Sequence, residues 1–450
     1  MKTVQIINAK DINPSFFLAR TLGSDVHAAV SSILDEVKNH GDEALKKFSY
    51  QFDRASPEYL EIDRSEIELC AAQFKKDKPE LYSALEYSFS LALKFAKKQR
   101  ECFTNFEIEL QEGVFTGQKT IPVERTGLYV PAGRFPLVSS VIMCASPAKA
   151  AGCSEIILCT PPRLHPGDVK EGKTKESTGL RPWADEGILT TALICGIDRI
   201  FALGGAQAIG AMAYGTETIP RCDVVAGPGN KFVTEAKKII YGTTGIDFLA
   251  GPSEVFILAD DSADPSWVAA DMLAQAEHDP DAQAVLATPS LLLAERVQKE
   301  LSSQIQKLSS QENAKASLEK NGLIIITQNL EEALDIADRK APEHLEFALE
   351  DTEQRARLVQ KARNYGSLFI GHETAEVFGD YCAGLNHTLP TSGTARFTGG
   401  LSVRHFLKTV TTLRSENKDA IQKTARNASI IGLSEGLEAH AKAAEIRLNQ

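Results

Sequence analysis

Apolar and polar positions along this chain follow two rhythms, and the change falls near residue 120. Before it the spacing is helical. Val26–His40 carries apolar side chains three and four apart and stops at Gly41, and a charged, amphipathic pattern runs from Arg64 to Glu101. After it, short apolar runs alternate with helix-like stretches. GLYV, SEIILCTP, DRIFALGG, CDVVAGPG, EVFILAD, AQAVLATP, GLIIIT and SLFIG read as strands; SSVIMCASPAKAAG, AQAIGAMAYG and KFVTEAKKII read as helices between them. Several strands are apolar throughout, as strands covered on both faces are. The alternation predicts the α/β class, with parallel sheets and crossover helices. Residues 295–320 read as a charged helix, and after Gly400 the chain is expected to return to helix.

With 450 residues the chain exceeds a single core, so at least two domains are expected. A hydrophobic share of 43% and a charged share of 24% are ordinary for a soluble protein, and a net charge of −11 argues against nucleic acid or an anionic membrane as partner. No apolar run reaches the length of a bilayer span, and the opening stretch MKTVQIINAKDINPSF lacks the apolar core of a signal peptide. The cysteines form no CxxC pair; Cys144, Cys153, Cys159, Cys195 and Cys222 lie in apolar settings and read as reduced core thiols. The expected compartment is the cytoplasm. Residues 162–186 break the α/β pattern. They are polar, rich in Gly, Pro and Lys, and read as a surface excursion.

Chemistry concentrates in a few stretches. Ile246–Asp279 reads as turn, strand (Val255–Ala259), turn and helix, with Asp264 as N-cap and Pro265 at the first helical position. Gln275 and His278, three apart at the far end, share one helix face. They are either metal ligands or a solvated helix end. Glycine-rich turns at 127–134, 203–210 and 226–238 each adjoin a strand-like run, a setting that lets backbone N–H groups face an anion; plain loop chemistry is the other reading. In APEHLE, Glu343 and His344 are a usable acid/base pair, expected at a helix start or in a tight loop, unless they are a chance surface pair. GDYCAGLNHTLPTSGTARFTGG (379–400), with Asp380, Asn386 and His387, is too long and too apolar in places for a plain linker and reads as functional. SEGLEAH places Glu435, Glu438 and His440 near the start of the last helix, where a solvated face is the simpler reading.

Together these stretches resemble the histidinol dehydrogenase family. The motifs GLYVPAGR, GGAQAIGAMAYGTETIP, GPGNKFVTEAK, AGPSEVFILAD, DMLAQAEH, PEHLE, GDYCAGLNHTLPTSG and EGLEAH occur in the family's order from about Val26 to the C-terminus. The resemblance implies a zinc- and NAD-dependent oxidation of L-histidinol through L-histidinaldehyde to L-histidine, the last steps of histidine biosynthesis. It implies one Zn²⁺ per subunit, held by Gln275, His278, Asp380 and His440, with His344 as base and Glu343 activating water. Ser253, His387 and Glu435 would contact substrate together with His344 and the metal ligands; Tyr129, Gln207 and Asn230 would contact NAD. It also implies a homodimer with shared active sites, in which Glu435 and His440 serve the partner's site.

The same resemblance implies two Rossmann-like parallel-sheet domains without a GxGxxG fingerprint, plus helical N- and C-terminal segments used in dimerisation. The expected division is an N-terminal segment (1–25), an α/β domain from 26–125 and 246–390, an NAD-binding α/β domain (126–245) carrying the excursion, and a mainly helical tail (391–450). Three other readings remain at this point: a family member acting on another small polar alcohol such as a sulfonated diol, a metal-dependent hydrolase, and a silent binding protein on the same scaffold.

Overall fold

A computed structural model describes residues 4–18, 26–132 and 136–448. Parts of the expected N-terminal segment, and the Gly133-Arg134 end of the first glycine-rich turn, lie outside the described residues. The chain is an α/β protein built on two parallel sheets. One has six strands, in the order Gln5–Asn8, Leu323–Ile326, Gln283–Thr288, Glu254–Ala259, His344–Ala348, Ser367–Ile370. The other has five, in the order Gly245–Ile246, Val224–Ala226, Arg125–Tyr129, Glu155–Thr160, Arg199–Ala202. Counted along the chain, the five-stranded sheet runs 5-4-1-2-3. The strand order therefore reverses between Arg125–Tyr129 and Val224–Ala226, the point where open α/β sheets bind ligands. The larger sheet repeats this order once its N-terminal edge strand is set aside, and reverses between Glu254–Ala259 and His344–Ala348.

The central strands are buried along their whole length, which is why they read as unbroken apolar runs. Asp264 caps its helix as expected, its side chain accepting from Ser266 N, with Pro265 at the first position. The cysteines named as core thiols are buried or half-buried, and all are free.

Several expectations are corrected. The described N-terminal part is an edge strand, not helix: Ile6 and Ile7 pair with Ile324 and Ile325, and β-branched side chains suit that half-buried pleat. The tail is not mainly helical from Gly400. Leu407–Ser415 is a strand, paired antiparallel with Val114–Pro122, which also pairs with Phe106–Gln111; the β-branched run KTVTTL favours this over helix. The charged stretch near 295–320 is two helices, Leu291–Gln304 and Gln311–Asn321. The helices between 27 and 100 do not group with the six-stranded sheet. His27–Phe48 buries Val30, Leu34 and Val37 against Ile157, Phe201 and Ile209, and the next two bury Phe74 and Leu85 in the core shared with Leu128 and Val141. Both cores belong to the five-stranded sheet, whose two faces these helices help to cover.

Candidate active site

The crossover helix Pro265–Ala276 leaves the C-terminal end of strand Glu254–Ala259 and precedes the parallel strand Gln283–Thr288. It must run back against the strands, so its last turn arrives at the N-terminal edge of the six-stranded sheet. Gln275, buried, and His278, exposed, are delivered there. Ser253 and Glu254 open one strand at that edge and His344 opens the next, with His344 paired to Val255. The pair does not start a helix: Glu343 sits in the tight turn before a strand that His344 opens. Ala341 in the left-handed region (φ 53°) turns the chain out of the preceding helix and into it.

His344 is buried in a ring of carboxylates. Its Nδ1 lies 3.1 Å from the Glu254 carbonyl oxygen and 3.8 Å from both Glu343 Oε2 and Glu376 Oε2. Its Nε2 is 3.5 Å from Asp380 Oδ1. Both of those atoms are buried and neither has a hydrogen-bond partner. Burial pulls the imidazole pKa down, but Glu343, Asp380 and Glu376 together outweigh it and raise it to about 10. Burial pushes Glu343 up to about 8, although its carboxylate accepts from Glu254 N at 2.8 Å. Asp380 behaves oppositely: despite burial, His344, His387 and His278 hold it below the usual carboxylate range. The site therefore contains a carboxylate kept ionised beside others kept partly protonated.

Sequence reasoning missed several of these groups. Glu376 is buried with one unpartnered oxygen, and it precedes Asp380 by one helical turn, a spacing that was legible. Glu346 and Asp271, whose pKa values burial also raises, lie behind it. The buried Lys340–Glu254 ion pair at 3.3 Å carried no local signal.

The loop 382–401 ties this centre to the other sheet. Asn386 Nδ2 donates to Met143 O at 2.7 Å, His387 Nε2 lies 3.1 Å from Ser139 Oγ, and Thr391 Oγ1 accepts from Gly251 N at 2.5 Å. His387 thus stands between Asp380 and the helix Val138–Ala151.

A second polar cluster sits at the strand reversal of the five-stranded sheet. Tyr129 ends its strand, and its hydroxyl accepts from Gly205 N at 3.1 Å. Gln207 is 1% exposed, yet neither its Oε1 nor its Nε2 has a partner. Buried amide groups are seldom left unsatisfied, so this one is a candidate ligand contact. Gly227 packs against Tyr129 at φ +123°, where a Cβ would collide with the Tyr129 carbonyl oxygen. A buried ion pair grips the Gly227 peptide at both ends: its N–H donates to Asp247 Oδ2 at 2.9 Å, and its carbonyl accepts from Lys237 Nζ at 3.0 Å. Asn230 then caps the helix Lys231–Ile240, its Oδ1 accepting from Phe232 N and Val233 N. That leaves its amide N–H₂ as a donor.

The remaining two candidates are elsewhere. Glu435 and His440 lie exposed on or beside the terminal helices Gln422–Ser434 and Glu438–Glu445, and neither is among the charges acting on Asp380, His344 or Glu343. Among the described residues no three His, Cys, Asp or Glu side chains come together as a metal site. Of the four expected ligands, the chain brings His278 toward Asp380, with Gln275 one turn before it, and leaves His440 apart.

A buried imidazole among carboxylates at one parallel sheet, with an unsatisfied buried amide at the strand reversal of the other, marks an α/β enzyme. The comparisons with known proteins agree on which one. The family model for histidinol dehydrogenase matches residues 19–448. The histidinol dehydrogenase of Thermus thermophilus is 41% identical, covering 96% of this chain and 97% of its own, and that of Cupriavidus pinatubonensis is 39% identical over 100% and 99%. The crystal structure of histidinol dehydrogenase from Elizabethkingia anophelis superposes with a TM-score of 0.86 at 35% identity, covering 99% of this chain and 98% of that one. This chain belongs to the histidinol dehydrogenase family.

Proposed function

We propose that the protein oxidises L-histidinol to L-histidine in two hydride transfers to NAD⁺. In the first, the hydroxyl proton passes to His344 and the carbinol hydride to the nicotinamide, giving the aldehyde. Glu343 then takes a proton from water as it adds to the aldehyde, and the His344 imidazolium returns its proton to the carbonyl oxygen, giving the hydrate and a neutral base. The hydrate loses a second hydride to a second NAD⁺ and a second proton to the base, giving the carboxylic acid. The observation that carries this reading is His344 Nε2, a buried ring nitrogen with no hydrogen-bond partner, set among carboxylates that stabilise the imidazolium formed when it takes a proton. Ser253 and His387 face substrate from two sides of this centre. Tyr129, Gln207 and Asn230 receive NAD, and the unsatisfied Gln207 amide is the strongest support for that placement.

Zinc fits the donor set. Asp380 Oδ1 is buried, held ionised and unpartnered, and His278 opens toward solvent beside it. Gln275, His278, Asp380 and a partner-supplied imidazole in the position of His440 would hold one Zn²⁺, leaving room for the substrate's imidazole and amine. Bound zinc would orient the substrate and screen the charge on the reacting groups. Complete chelation is expected to lower the thermal midpoint by several degrees, with zinc restoring it; an unchanged melting curve would argue against a resident metal.

We further propose a homodimer in the cytoplasm. No described helix is long and apolar enough to cross a membrane. Instead the terminal helices expose Ile430, Ile431, Leu433, Leu437 and Ile446, a face suited to a second copy. The reaction is tested by counting NADH formed per histidinol consumed by the zinc-loaded protein. A ratio of about two supports the four-electron reaction, whereas no histidinol turnover, with NADH formed from a sulfonated diol, would move the chain to a different substrate.

A further inference from the structure

Glu254 touches both reacting side chains through its backbone. Its N–H donates to Glu343 Oε2 at 2.8 Å, and its carbonyl oxygen lies 3.1 Å from His344 Nδ1. A carbonyl oxygen can only accept, so Nδ1 carries the hydrogen and, in the neutral ring, Nε2 keeps the lone pair. One residue thus fixes the direction of the Glu343 carboxylate and the tautomer of His344. Neighbouring strands hold the rest of this edge. Gln283 N donates to Ser253 O at 2.9 Å, and Gly366 N and Ser367 N donate to Pro342 O and Glu343 O, both at 3.0 Å.

The Glu254 carboxylate takes no part in the proton transfers, yet it is buried together with Lys340, their side chains 1% and 4% exposed. Lys340 Nζ is 3.3 Å from Glu254 Oε1, and the Phe16 ring centroid stands 5.2 Å from the same ammonium. Glu254 Oε2 is buried without a hydrogen-bond partner, so the carboxylate is met at Oε1. Lys340 is the last residue of the helix Leu330–Lys340, and only Ala341, in the left-handed region, and Pro342 separate it from Glu343. Residue 254 is thus joined to the turn 340–344 at both ends: by a side-chain ion pair at its start and by two backbone hydrogen bonds at its close. Exchanging a buried ion pair for uncharged side chains of like volume is often harmless to stability, whereas removing one partner is costly. Stability alone does not call for this pair; its place beside the catalytic turn gives it another use.

We infer that Lys340 and the Glu254 side chain are positioning residues for the oxidation. Their ion pair clamps the turn 340–344 to the strand edge, so that the Glu254 peptide groups meet Glu343 and His344 and leave Nε2 as the nitrogen that accepts. This rests on the reading of His344 and Glu343 as the groups that take protons. Misplacing reacting atoms by about 1 Å costs on the order of a hundredfold in rate, which sets the size of the effect.

The test compares the full-length, zinc-loaded protein with Lys340→Met and with the double variant Glu254→Gln/Lys340→Met. Thermal midpoint, NADH dissociation constant, KM for NAD⁺ and kcat at saturating histidinol are measured for each. Lys340→Met strands a buried carboxylate and is expected to melt lower and to lose turnover. The double variant removes both charges. It is expected to melt within a few degrees of the parent and to keep the parent's NADH dissociation constant and KM for NAD⁺, yet to lose about a hundredfold in kcat. A purely structural pair would regain kcat together with stability. A double variant that melts like the parent and turns over at the parent rate therefore overturns the inference and leaves the histidinol reading intact. So does one whose thermal midpoint or NADH binding falls in step with kcat, which would make the pair a support of the fold. A parent that does not oxidise histidinol overturns both.

Discussion

Replacing His344 with asparagine is expected to lower the rate constant for histidinol oxidation about a thousandfold, within the range that a positioned general base contributes. Asparagine keeps much of the shape and one donor, so the ring of carboxylates is left largely in place. What it lacks is a nitrogen that can accept a proton. The pH profile makes the test specific. His344 is raised to about 10, so the neutral, accepting imidazole gains population as pH rises through that value. Glu343 is raised to about 8, so its carboxylate form also emerges on the alkaline side. Activity should therefore climb on the alkaline side of neutrality. Zinc bound at Asp380 would offset part of the negative charge that raises His344, moving the upper limb to lower pH. In His344→Asn the limb that belongs to the imidazole should disappear while that of Glu343 remains. A variant whose rate and profile match the parent would place the base elsewhere.

The second large effect concerns the terminal helices. His278→Asn and His440→Asn should each abolish turnover as pure proteins, since each removes one of the proposed zinc ligands. Unfolded together and refolded as a mixture, they should regain about one quarter of the parent activity. If His440 serves the partner's site, half of the randomly paired dimers are mixed, and each mixed dimer has one intact site and one doubly damaged site. If His440 served its own site, no pairing would rebuild a complete ligand set and the mixture would stay silent. The exposed positions of Glu435 and His440, away from the charges around Asp380, are what make the first outcome the expected one.

Much of the scaffold was legible from local pattern. The strand Glu254–Ala259 and its Asp264-capped helix follow from an apolar run, a turn and a start signal, all within one short stretch. The glycine-rich turns stood out because a position such as Gly227 tolerates no side chain. The antiparallel strand Leu407–Ser415 was not read, because its partner Val114–Pro122 is nearly three hundred residues away and its side chains are largely exposed, which leaves no core periodicity to detect. The packing of the first helices was misassigned for a related reason. An amphipathic face shows that a helix is covered, and not by which sheet.

The chain by itself determined the kinds and order of the central strands and crossover helices of the two parallel sheets, and which stretches carry candidate reactive side chains, because these depend on neighbours a few positions apart. The tertiary structure decided the chemistry of those side chains. Glu343 and His344 are an unremarkable pair in sequence; their pKa values are shifted because strand pairing and the return of one crossover helix bury them with Glu376 and Asp380, where low polarity magnifies every charge. Lys237 and Asp247 likewise gain a role only when both close on the Gly227 peptide. Such effects fall off over a few ångströms, and only folding makes distant residues near ones.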